Sequence, residues 1–260
     1  GLEGVPEANQ TAAKAAYYGL VETLDRNVGH ILTTLKHTGA DQDSVVMYMS
    51  DHGEMLGSHG RWHKMCFYEE SVRVPFSISL PESTSQMIPR VTDIVELVDL
   101  FPTLCDLADI KLPYPINGES LLPLINGTSA SRKKQHARSE YYGARSNRMI
   151  RTGQWKLNLY EGYEAPELFN LNEDPQELHD LTKDASYTSL LRELEDLLFE
   201  DGWSHALFPA WRERVRYTGS TRFLEAYPDA ALRTSVEPFP NSYWDEMKHS
   251  SNYLEQGPSE

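Results

Sequence analysis

Apolar positions follow two different periods in the first fifty residues. Across residues 8–37, apolar side chains recur every three or four positions, which is the spacing of one face of a helix. Residues 45–49 then form a short unbroken apolar run, typical of a strand covered on both faces. We therefore predict a long helix, capped by Asn9 and ended by Gly39, that leads through a polar loop into a buried strand.

The rest of the pattern predicts shorter elements. Residues 69–73 indicate a helical turn, residues 74–80 a second strand, and residues 91–107 a strand that passes into a helix at Pro102. From residue 136 onward, short strand-like runs replace the longer elements. The elements predicted there are strands over 137–142, 148–152 and 155–160, a tight turn at 153–154 and a helix over 187–201.

These elements indicate an α/β fold in two unequal parts. A helix, a loop and a buried strand are half of a doubly wound α/β unit, and we assign residues 1–135 to a domain of this kind. Residues 136–201 predict a small C-terminal antiparallel sheet with a helix. Residues 202–260 are rich in proline, aromatic and charged residues, and we expect an extended tail that packs on its own or another subunit.

A polar, glycine-rich loop follows the predicted buried strand. Asp51 and His52 are adjacent, and Gly53, Gly57 and Gly60 come directly after them. An acid and an imidazole that would point to opposite faces of a strand reach one ion only where the backbone turns, and glycine permits such a turn. Ligands of open α/β sheets lie beyond the carboxyl ends of strands. Asp51 and His52 are therefore candidate ligands of a metal ion.

The charge of this loop contrasts with that of the whole chain. The formal net charge of the chain is -15, yet residues 59–64 contain two histidines, one arginine, one lysine and no acid. A basic pocket in an acidic protein favours an anionic ligand, and beside a carboxylate it predicts a metal ion and an anion bound together. For Lys64 a functional role is favoured, whereas for His59 and His63 functional and structural roles are equally supported.

Composition bears on the partners and the compartment. No run of about 18 apolar residues occurs, so no membrane-spanning segment is predicted. The acidity argues against nucleic acid and anionic membranes as partners. The N-terminus has neither a methionine nor the features of a signal peptide, so we expect a cut or processed chain. Cys66 and Cys105 form no disulfide framework, and N-glycosylation patterns at Asn9 and Asn126 leave the compartment open.

One ordered set of residues carries a family resemblance: residues 50–57, Gly60, Trp62, Lys64 and residues 67–75. This set resembles the second conserved block of type I sulfatases, which belong to the alkaline phosphatase-like superfamily. Having His directly after Asp makes it most similar to the choline-sulfatase-like and phosphonate-monoesterase-like branches. Further similar segments extend the resemblance over residues 8–200. It implies that residues 1–135 are the C-terminal part of a sulfatase catalytic domain, with part of its doubly wound sheet.

The resemblance implies metal-dependent hydrolysis of a sulfate ester. In such enzymes a Cys or Ser in a Cys-x-Pro-x-Arg motif is oxidised to formylglycine, whose hydrate attacks the sulfur beside a divalent cation, usually calcium. The matching positions make Asp51 and His52 cation ligands and Lys64 a contact to the sulfate oxygens. Because His52 stands where Asn is commoner and calcium prefers oxygen ligands, manganese or magnesium stays open.

Three further residues are candidates around the substrate. His59 is a candidate catalytic residue beside Lys64, and His63 is a candidate substrate-binding residue. Glu140 lies where choline-sulfatase-like members place an acid near the cation of the substrate, which suits trimethylammonium electrostatically. An exposed acid on a strand, without any ligand, explains Glu140 equally well.

This chain does not contain the nucleophile motif of the family that it resembles. Neither Cys66 nor Cys105 fits the formylglycine motif, no serine fits it, and the N-terminal pair of Asp ligands is absent. We therefore expect half a metal site that works with an N-terminal sulfatase segment, and association through an uncovered sheet edge. Two alternatives stay open: a phosphonate or phosphate ester hydrolase of the same superfamily, and a non-catalytic binding or structural subunit.

Overall fold

The chain forms helices and strands over much of its first 199 residues. This computed structural model describes residues 4–81, 90–112, 116–128, 134–142, 146–160 and 166–199, so the tail predicted over 202–260 lies outside the described residues. The elements are, in chain order, α1 (Glu7–Thr38), β1 (Val46–Met49), α2 (Glu69–Val72), β2 (Phe76–Ser79), α3 (Leu100–Leu107), α4 (Leu122–Ile125), β3 (His136–Tyr142), β4 (Ser146–Thr152), β5 (Trp155–Tyr160), β6 (Glu167–Asn170) and α5 (Thr188–Phe199).

Helix α1 confirms the longest predicted element. The predicted cap at Asn9 is wrong, because the helix begins after Pro6 and the N–H of Asn9 already donates to the carbonyl oxygen of Pro6 at 2.9 Å. Gly39 ends the helix in the left-handed region, at a φ of 72°. No residue of α1 is buried against the rest of the described chain. No helix in this part of the chain is long and apolar enough to cross a membrane.

Strand β1 pairs with β2 in an antiparallel ladder that places Val46 opposite Ser79 and Met49 opposite Phe76. The prediction of a strand covered on both faces is wrong within the described residues, since Tyr48 is exposed and the other residues of β1 are only half-buried. The physical reason is that α1 covers neither face and β2 is the one neighbour of β1 in this part of the chain.

The strand predicted before α3 is also wrong. A 3-10 turn at Leu97–Asp99 leads into α3, and the fully buried carboxylate of Asp99 accepts the N–H groups of Glu96 and Glu119, both at 2.8 Å. Thr103 donates to the carbonyl oxygen of Asp99 at 2.6 Å and accepts the N–H of Leu121 at 2.9 Å. These bonds join α3 to α4, because buried polar groups are stable only when they are paired.

The C-terminal strands form an antiparallel sheet in the order β3-β4-β5-β6, which confirms the predicted antiparallel sheet and adds β6 to the three predicted strands. The predicted tight turn between β4 and β5 is confirmed, and Gly153 adopts a φ of 39° there. Ile150, Leu157 and Leu168 have no exposed surface. Each such side chain contributes roughly 2 kcal/mol to stability when it is removed from water. The described part of the chain is therefore an α/β protein with buried apolar residues in both parts, including a cluster around α4 and β2 in the N-terminal part.

Candidate metal and anion site

Asp51 and His52 lie just beyond the end of β1, where the sequence predicts a metal site. Nδ1 of His52 is 2.8 Å from the carbonyl oxygen of Gly53. A carbonyl oxygen only accepts, so in the neutral imidazole Nδ1 is the nitrogen that carries the proton, and Nε2 is then the one with the lone pair. Nε2 is 3.5 Å from Oδ2 of Asp51, while Oδ1 of Asp51 accepts the N–H of His52 at 3.0 Å. The two candidate metal-binding atoms, Oδ2 of Asp51 and Nε2 of His52, therefore face each other.

This pair is open to solvent. The side chain of Asp51 is 84% exposed and that of His52 is 40% exposed. Two acceptor atoms this close repel each other unless a proton or a metal ion lies between them. Two ligands at a right angle around one cation, each bound at about 2.1–2.3 Å, lie about 3 Å apart, so the separation fits a shared cation. Within the described ranges, no group of three or more His, Cys, Asp or Glu side chains could hold a metal ion.

The loop after the pair is closed by one carboxylate. Oε1 of Glu54 accepts the N–H of His63 at 2.6 Å, and the N–H of Met55 donates to the carbonyl oxygen of His63 at 3.0 Å. Leu56, His59 and His63 adopt positive φ values of 46°, 52° and 68°. Each non-glycine residue in this region costs about 1–2 kcal/mol, and such strain clusters at functional sites. Sequence reasoning missed Glu54, although its position within the matched block was a signal.

Gly53 is required for a reason that differs from the predicted one. Its φ is not positive, so it does not serve as a left-handed turn residue. A Cβ atom on Gly53 would instead lie 1.9 Å from the carbonyl oxygen of Glu70, which no rearrangement of a flexible side chain could relieve. The N–H of Gly53 donates to the carbonyl oxygen of Ser71 at 2.7 Å. The backbone next to Asp51 and His52 therefore lies directly against α2.

Lys64 follows the loop and presents its side chain to solvent. Its carbonyl oxygen accepts the hydroxyl of Ser71 at 2.6 Å and the N–H of Cys66 at 2.8 Å. The backbone of Lys64 is thus held by α2, as is the backbone at Gly53. An exposed amino group on an anchored backbone is suited to contact an anion. Burial raises the pKa of the Cys66 thiol, which therefore stays protonated.

The two loop histidines have different surroundings. The ring of His59 is stacked on the ring of Tyr68, with centroids 3.7 Å apart and planes 2° apart. The hydroxyl of Tyr68 donates to Glu167 at 2.9 Å, and burial together with that carboxylate raises the pKa of Tyr68, so its hydroxyl stays a donor. His63 is exposed, and its backbone groups close the loop. The structure therefore gives His59 a positioning contact and leaves the side chain of His63 accessible.

Glu140 has a partner within the C-terminal sheet. It lies opposite Arg148 in the register of β3 and β4, and Oε1 of Glu140 is 3.1 Å from Nε of Arg148. Arg148 is buried, and its guanidinium lies 5.1 Å from the centre of the Phe199 ring. Burial of a cation requires a nearby counter-charge. This ion pair explains Glu140 without a ligand, and we do not carry Glu140 into the proposed site.

A buried ionic network that sequence reasoning missed joins α2 to the C-terminal sheet. Nζ of Lys156 has no exposed surface and lies 3.1 Å from Glu69 and 2.8 Å from Glu177. Arg151 lies 2.9 Å from the other oxygen of Glu69. Burial is the main cause that raises the pKa of Glu177, and Lys156 opposes it. Two cations therefore pair with the carboxylate of Glu69, whereas the nearby Arg73 is exposed.

Aromatic contacts reinforce the same junction. Phe67 lies 5.3 Å from the ring of Tyr141 and 5.6 Å from the ring of Tyr160. The N–H of Phe67 donates to the hydroxyl of Tyr160 at 3.3 Å, and burial raises the pKa of that hydroxyl. The segment that follows Lys64 is therefore attached to the C-terminal sheet by both packing and hydrogen bonds.

Family comparisons agree with this arrangement. The model of the family described as Sulfatase matches residues 3–110, and that described as N-sulphoglucosamine sulphohydrolase, C-terminal, matches residues 57–202, more than half of the chain. The chain belongs to the sulfatase family. The matched ranges overlap over residues 57–110, which include the loop through Lys64 and α2.

Individual proteins give the same result. Arylsulfatase K of Rattus norvegicus is 38% identical over 176 residues, covering 64% of this chain and 31% of its own length. This sulfatase chain thus spans about a third of that relative. A putative sulfatase of Bacteroides thetaiotaomicron is 26% identical at a TM-score of 0.70, over 91% of this chain and 48% of that chain. Phosphonate monoester hydrolase of Agrobacterium radiobacter is 26% identical at a TM-score of 0.65, over 74% of this chain and 41% of that chain. These neighbours agree with the α/β fold and its alkaline phosphatase-like class.

Proposed function

We propose that this sulfatase chain supplies half of a divalent-cation site and an anion-binding lysine to an enzyme that hydrolyses sulfate esters. The observation that carries the proposal is the facing pair formed by Oδ2 of Asp51 and Nε2 of His52, 3.5 Å apart. The carbonyl oxygen of Gly53 fixes the tautomer of His52 that leaves Nε2 free to bind a metal ion. The names of the similar arylsulfatases support the sulfate ester as substrate.

The donor set bears on the choice of cation. One carboxylate and one imidazole suit manganese well, whereas calcium and magnesium prefer oxygen ligands. We propose calcium on the family resemblance, with manganese and magnesium as the alternatives. When bound, the cation supplies positive charge that stabilises the sulfate oxygens as they gain charge in the transition state. The remaining ligands belong, in this proposal, to protein outside the described residues and to water.

The residues of this chain then have distinct tasks. Asp51 and His52 hold the cation, and the carbonyl oxygen of Gly53 orients the imidazole. The ammonium group of Lys64 binds a sulfate oxygen as a point charge. Glu54 holds the loop between them closed. We propose that the nucleophile, a formylglycine, is carried by an N-terminal sulfatase segment that joins this chain.

Exposed apolar side chains support such a partner segment. Leu20 and Ile31 of α1 are 69% and 60% exposed, and Phe101 of α3 is 47% exposed. On α1, Leu20, Leu24 and Ile31 recur at helical spacing, and such an exposed apolar face favours contact with another protein surface. The proposed occupant is the N-terminal sulfatase segment, which would cover α1 and pair with the edge of β1 that has no neighbour within the described residues.

The proposal is tested in the complete natural protein that contains this chain. We expect Asp51→Asn to lower the turnover of 4-nitrophenyl sulfate by at least about 10²-fold and to lower bound divalent metal, because charge stabilisation at the reacting oxygens is lost. Thermal unfolding should change little, since Asp51 is exposed. Asp43→Asn, on the exposed loop before β1, is the matched control and should keep both rate and metal content. Wild-type metal content in Asp51→Asn would contradict the proposal.

The phosphonate alternative is favoured by one observation, the likeness to the Agrobacterium radiobacter enzyme. Rates on 4-nitrophenyl sulfate and on a phenylphosphonate monoester, measured with the same preparation, separate the two reactions. A higher kcat/KM on the sulfate ester supports the sulfatase proposal, and the reverse order supports the alternative. Metal and sulfate binding without turnover of either ester would indicate a non-catalytic binding subunit.

A further inference from the structure

Ser71 contacts two parts of the proposed site. We call residues 51–53 the metal-binding arm and the backbone at Lys64 the anion-binding arm. Its hydroxyl donates to the carbonyl oxygen of Lys64 at 2.6 Å, and its carbonyl oxygen accepts the N–H of Gly53 at 2.7 Å. Gly53 directly follows His52, so one buried residue links the anion-binding arm to the metal-binding arm. Ser71 itself is 3% exposed, which shields both bonds from competition with water.

The metal-binding arm lies in direct backbone contact with α2. A side chain on Gly53 would collide with the carbonyl oxygen of Glu70, which shows that the two backbones are already in contact. The metal-binding arm is therefore located by packing and by a backbone bond that any residue at position 71 could make. The anion-binding arm depends instead on the hydroxyl of Ser71, which is a property of this side chain alone.

Helix α2 is itself anchored, so it can act as a fixed reference. The carboxylate of its first residue, Glu69, accepts hydrogen bonds from Lys156 and Arg151. The N–H of Glu69 donates to the carboxylate of Glu177 at 2.6 Å. Lys156 and Glu177 have no exposed side-chain surface. A helix of a single turn is not stable alone, so these contacts with the C-terminal sheet determine where α2 lies.

We propose that Ser71 is a positioning residue that fixes the amino group of Lys64 relative to Asp51 and His52. This inference rests on the proposed function, since it names a residue that acts through the anion-binding lysine. Loss of the hydroxyl leaves the carbonyl oxygen of Lys64 paired with the N–H of Cys66 at 2.8 Å, so the chain still folds. What changes is the position of Lys64, which gains freedom to leave the sulfate.

The test compares Ser71→Val with Ser71→Thr in the complete natural protein. Valine and threonine have nearly the same volume and add the same extra methyl group to a buried position, but threonine alone keeps the hydroxyl. We expect Ser71→Val to lower kcat on 4-nitrophenyl sulfate by roughly 10- to 100-fold, the range for a reacting group displaced by about 1 Å. Ser71→Thr should stay close to the wild type. Both should keep wild-type metal content, because both keep the backbone bond to Gly53.

A coupling measurement separates positioning from a general loss of stability. If Ser71 acts through Lys64, Ser71→Val should lower kcat far less in a Lys64→Met background than in the wild type. Thr103→Val is the control, because it also removes a buried hydroxyl, but one whose two hydrogen bonds lie away from the proposed site. It should lower the midpoint of thermal unfolding with no change in kcat. Equal losses of kcat in Ser71→Val and Ser71→Thr, or additive losses with Lys64→Met, would overturn the inference.

The affinity for inorganic sulfate, measured by calorimetry, distinguishes failure of the inference from failure of the proposed function. We expect Ser71→Val and Lys64→Met to weaken sulfate binding and Ser71→Thr to preserve it. A wild-type protein that hydrolyses neither ester but shows this order of affinities would refute the proposed function and support the role of Ser71. An active wild type in which sulfate affinity does not depend on the hydroxyl would refute the role of Ser71 alone. A wild type with neither turnover nor sulfate binding would refute both.

Discussion

Helices α1 and α5 follow the same kind of apolar spacing and lie in opposite surroundings. No residue of α1 is buried, and Leu20 is 69% exposed, whereas Leu194 and Leu198 of α5 are 2% and 1% exposed. The spacing of apolar residues therefore predicts that a helix has an apolar face, and it does not say what covers that face. In this sulfatase chain, α1 and the β1–β2 ladder contain no buried residue, and we call them the open side. The C-terminal sheet and α5 contain buried residues throughout, and we call them the closed side.

The candidate site lies at the boundary between these two parts. Asp51 and His52 extend from the open β1–β2 ladder, and Ser71 of α2 binds the backbone on both sides of their loop. Helix α2 is in turn joined to the closed C-terminal sheet through Glu69. We infer that the C-terminal sheet serves as the rigid support of the site. The open side then provides access for the remaining ligands, the nucleophile and the substrate.

The largest expected effect tests the closed side through its buried network. Lys156→Met leaves Glu69 and Glu177 facing each other without the buried cation between them, which should lower the free energy of unfolding by about 3–5 kcal/mol. Lys14→Met, on the exposed surface of α1, is the matched control and should change it by less than about 0.5 kcal/mol. Urea unfolding of the complete natural protein measures both.

A double substitution shows whether charge is the cause. Adding Glu177→Gln to Lys156→Met removes the buried acid that has lost its cation, since Glu69 still pairs with Arg151, and keeps an oxygen that can accept the N–H of Glu69. Part of the lost stability should return. If the double variant is as unstable as the sum of its single variants, packing and not charge accounts for the loss.

The next effect compares the two helices directly. Leu194→Ala should lower the free energy of unfolding by about 3 kcal/mol, because it opens a cavity in a closed core. If the N-terminal sulfatase segment covers α1 in the complete protein, Leu24→Ala should cost at least about 1 kcal/mol, although Leu24 is 48% exposed in this chain alone. A cost for Leu24→Ala near zero, with the expected cost for Leu194→Ala, would mean that α1 stays uncovered.

Local patterns predicted most of the secondary structure. The long helix, three strands of the C-terminal sheet and the turn at Gly153 depend on spacing and turn chemistry within a few residues. The positions of Asp51 and His52 after a strand follow from the same local rules. The roles of Asp51, His52 and Lys64 stay predictions, since the family comparisons identify the chain and do not test single side chains.

Long-range pairings could not be predicted in this way. Lys156 and Glu69 are separated by 87 positions in the sequence, and Glu177 and Glu69 by 108. No local pattern distinguishes a lysine that pairs across such a distance from a solvated one. The same limit explains Gly53, because its need for glycine comes from the backbone of Glu70 and not from its own dihedral angles. The role of Ser71 could likewise not be predicted, because a single serine in a short helix does not indicate that it binds the carbonyl oxygen of Lys64 and the N–H of Gly53.

The smallest expected effect concerns an acid that stabilises the closed side locally. Burial raises the pKa of Asp174, but the backbone N–H groups of His179 and Leu178 and the side chain of His179 lower it by more, so the net shift is downward. A carboxyl whose pKa is lower in the folded state stabilises that state above its unfolded pKa and loses this contribution as the pH falls.

Asp174→Asn should therefore lower the free energy of unfolding by about 0.5–1 kcal/mol near neutral pH, the usual contribution of a hydrogen bond. The difference from the wild type should shrink as the pH falls below about 4, because the carboxyl then binds a proton first in the unfolded state and, at lower pH, in the folded state. Asp43→Asn on the open side provides the control, since its exposed side chain should show no comparable change. Urea unfolding at a series of pH values measures the three proteins. A difference for Asp174→Asn that stays constant from neutral to acid pH would show that shape, and not ionisation, explains its effect.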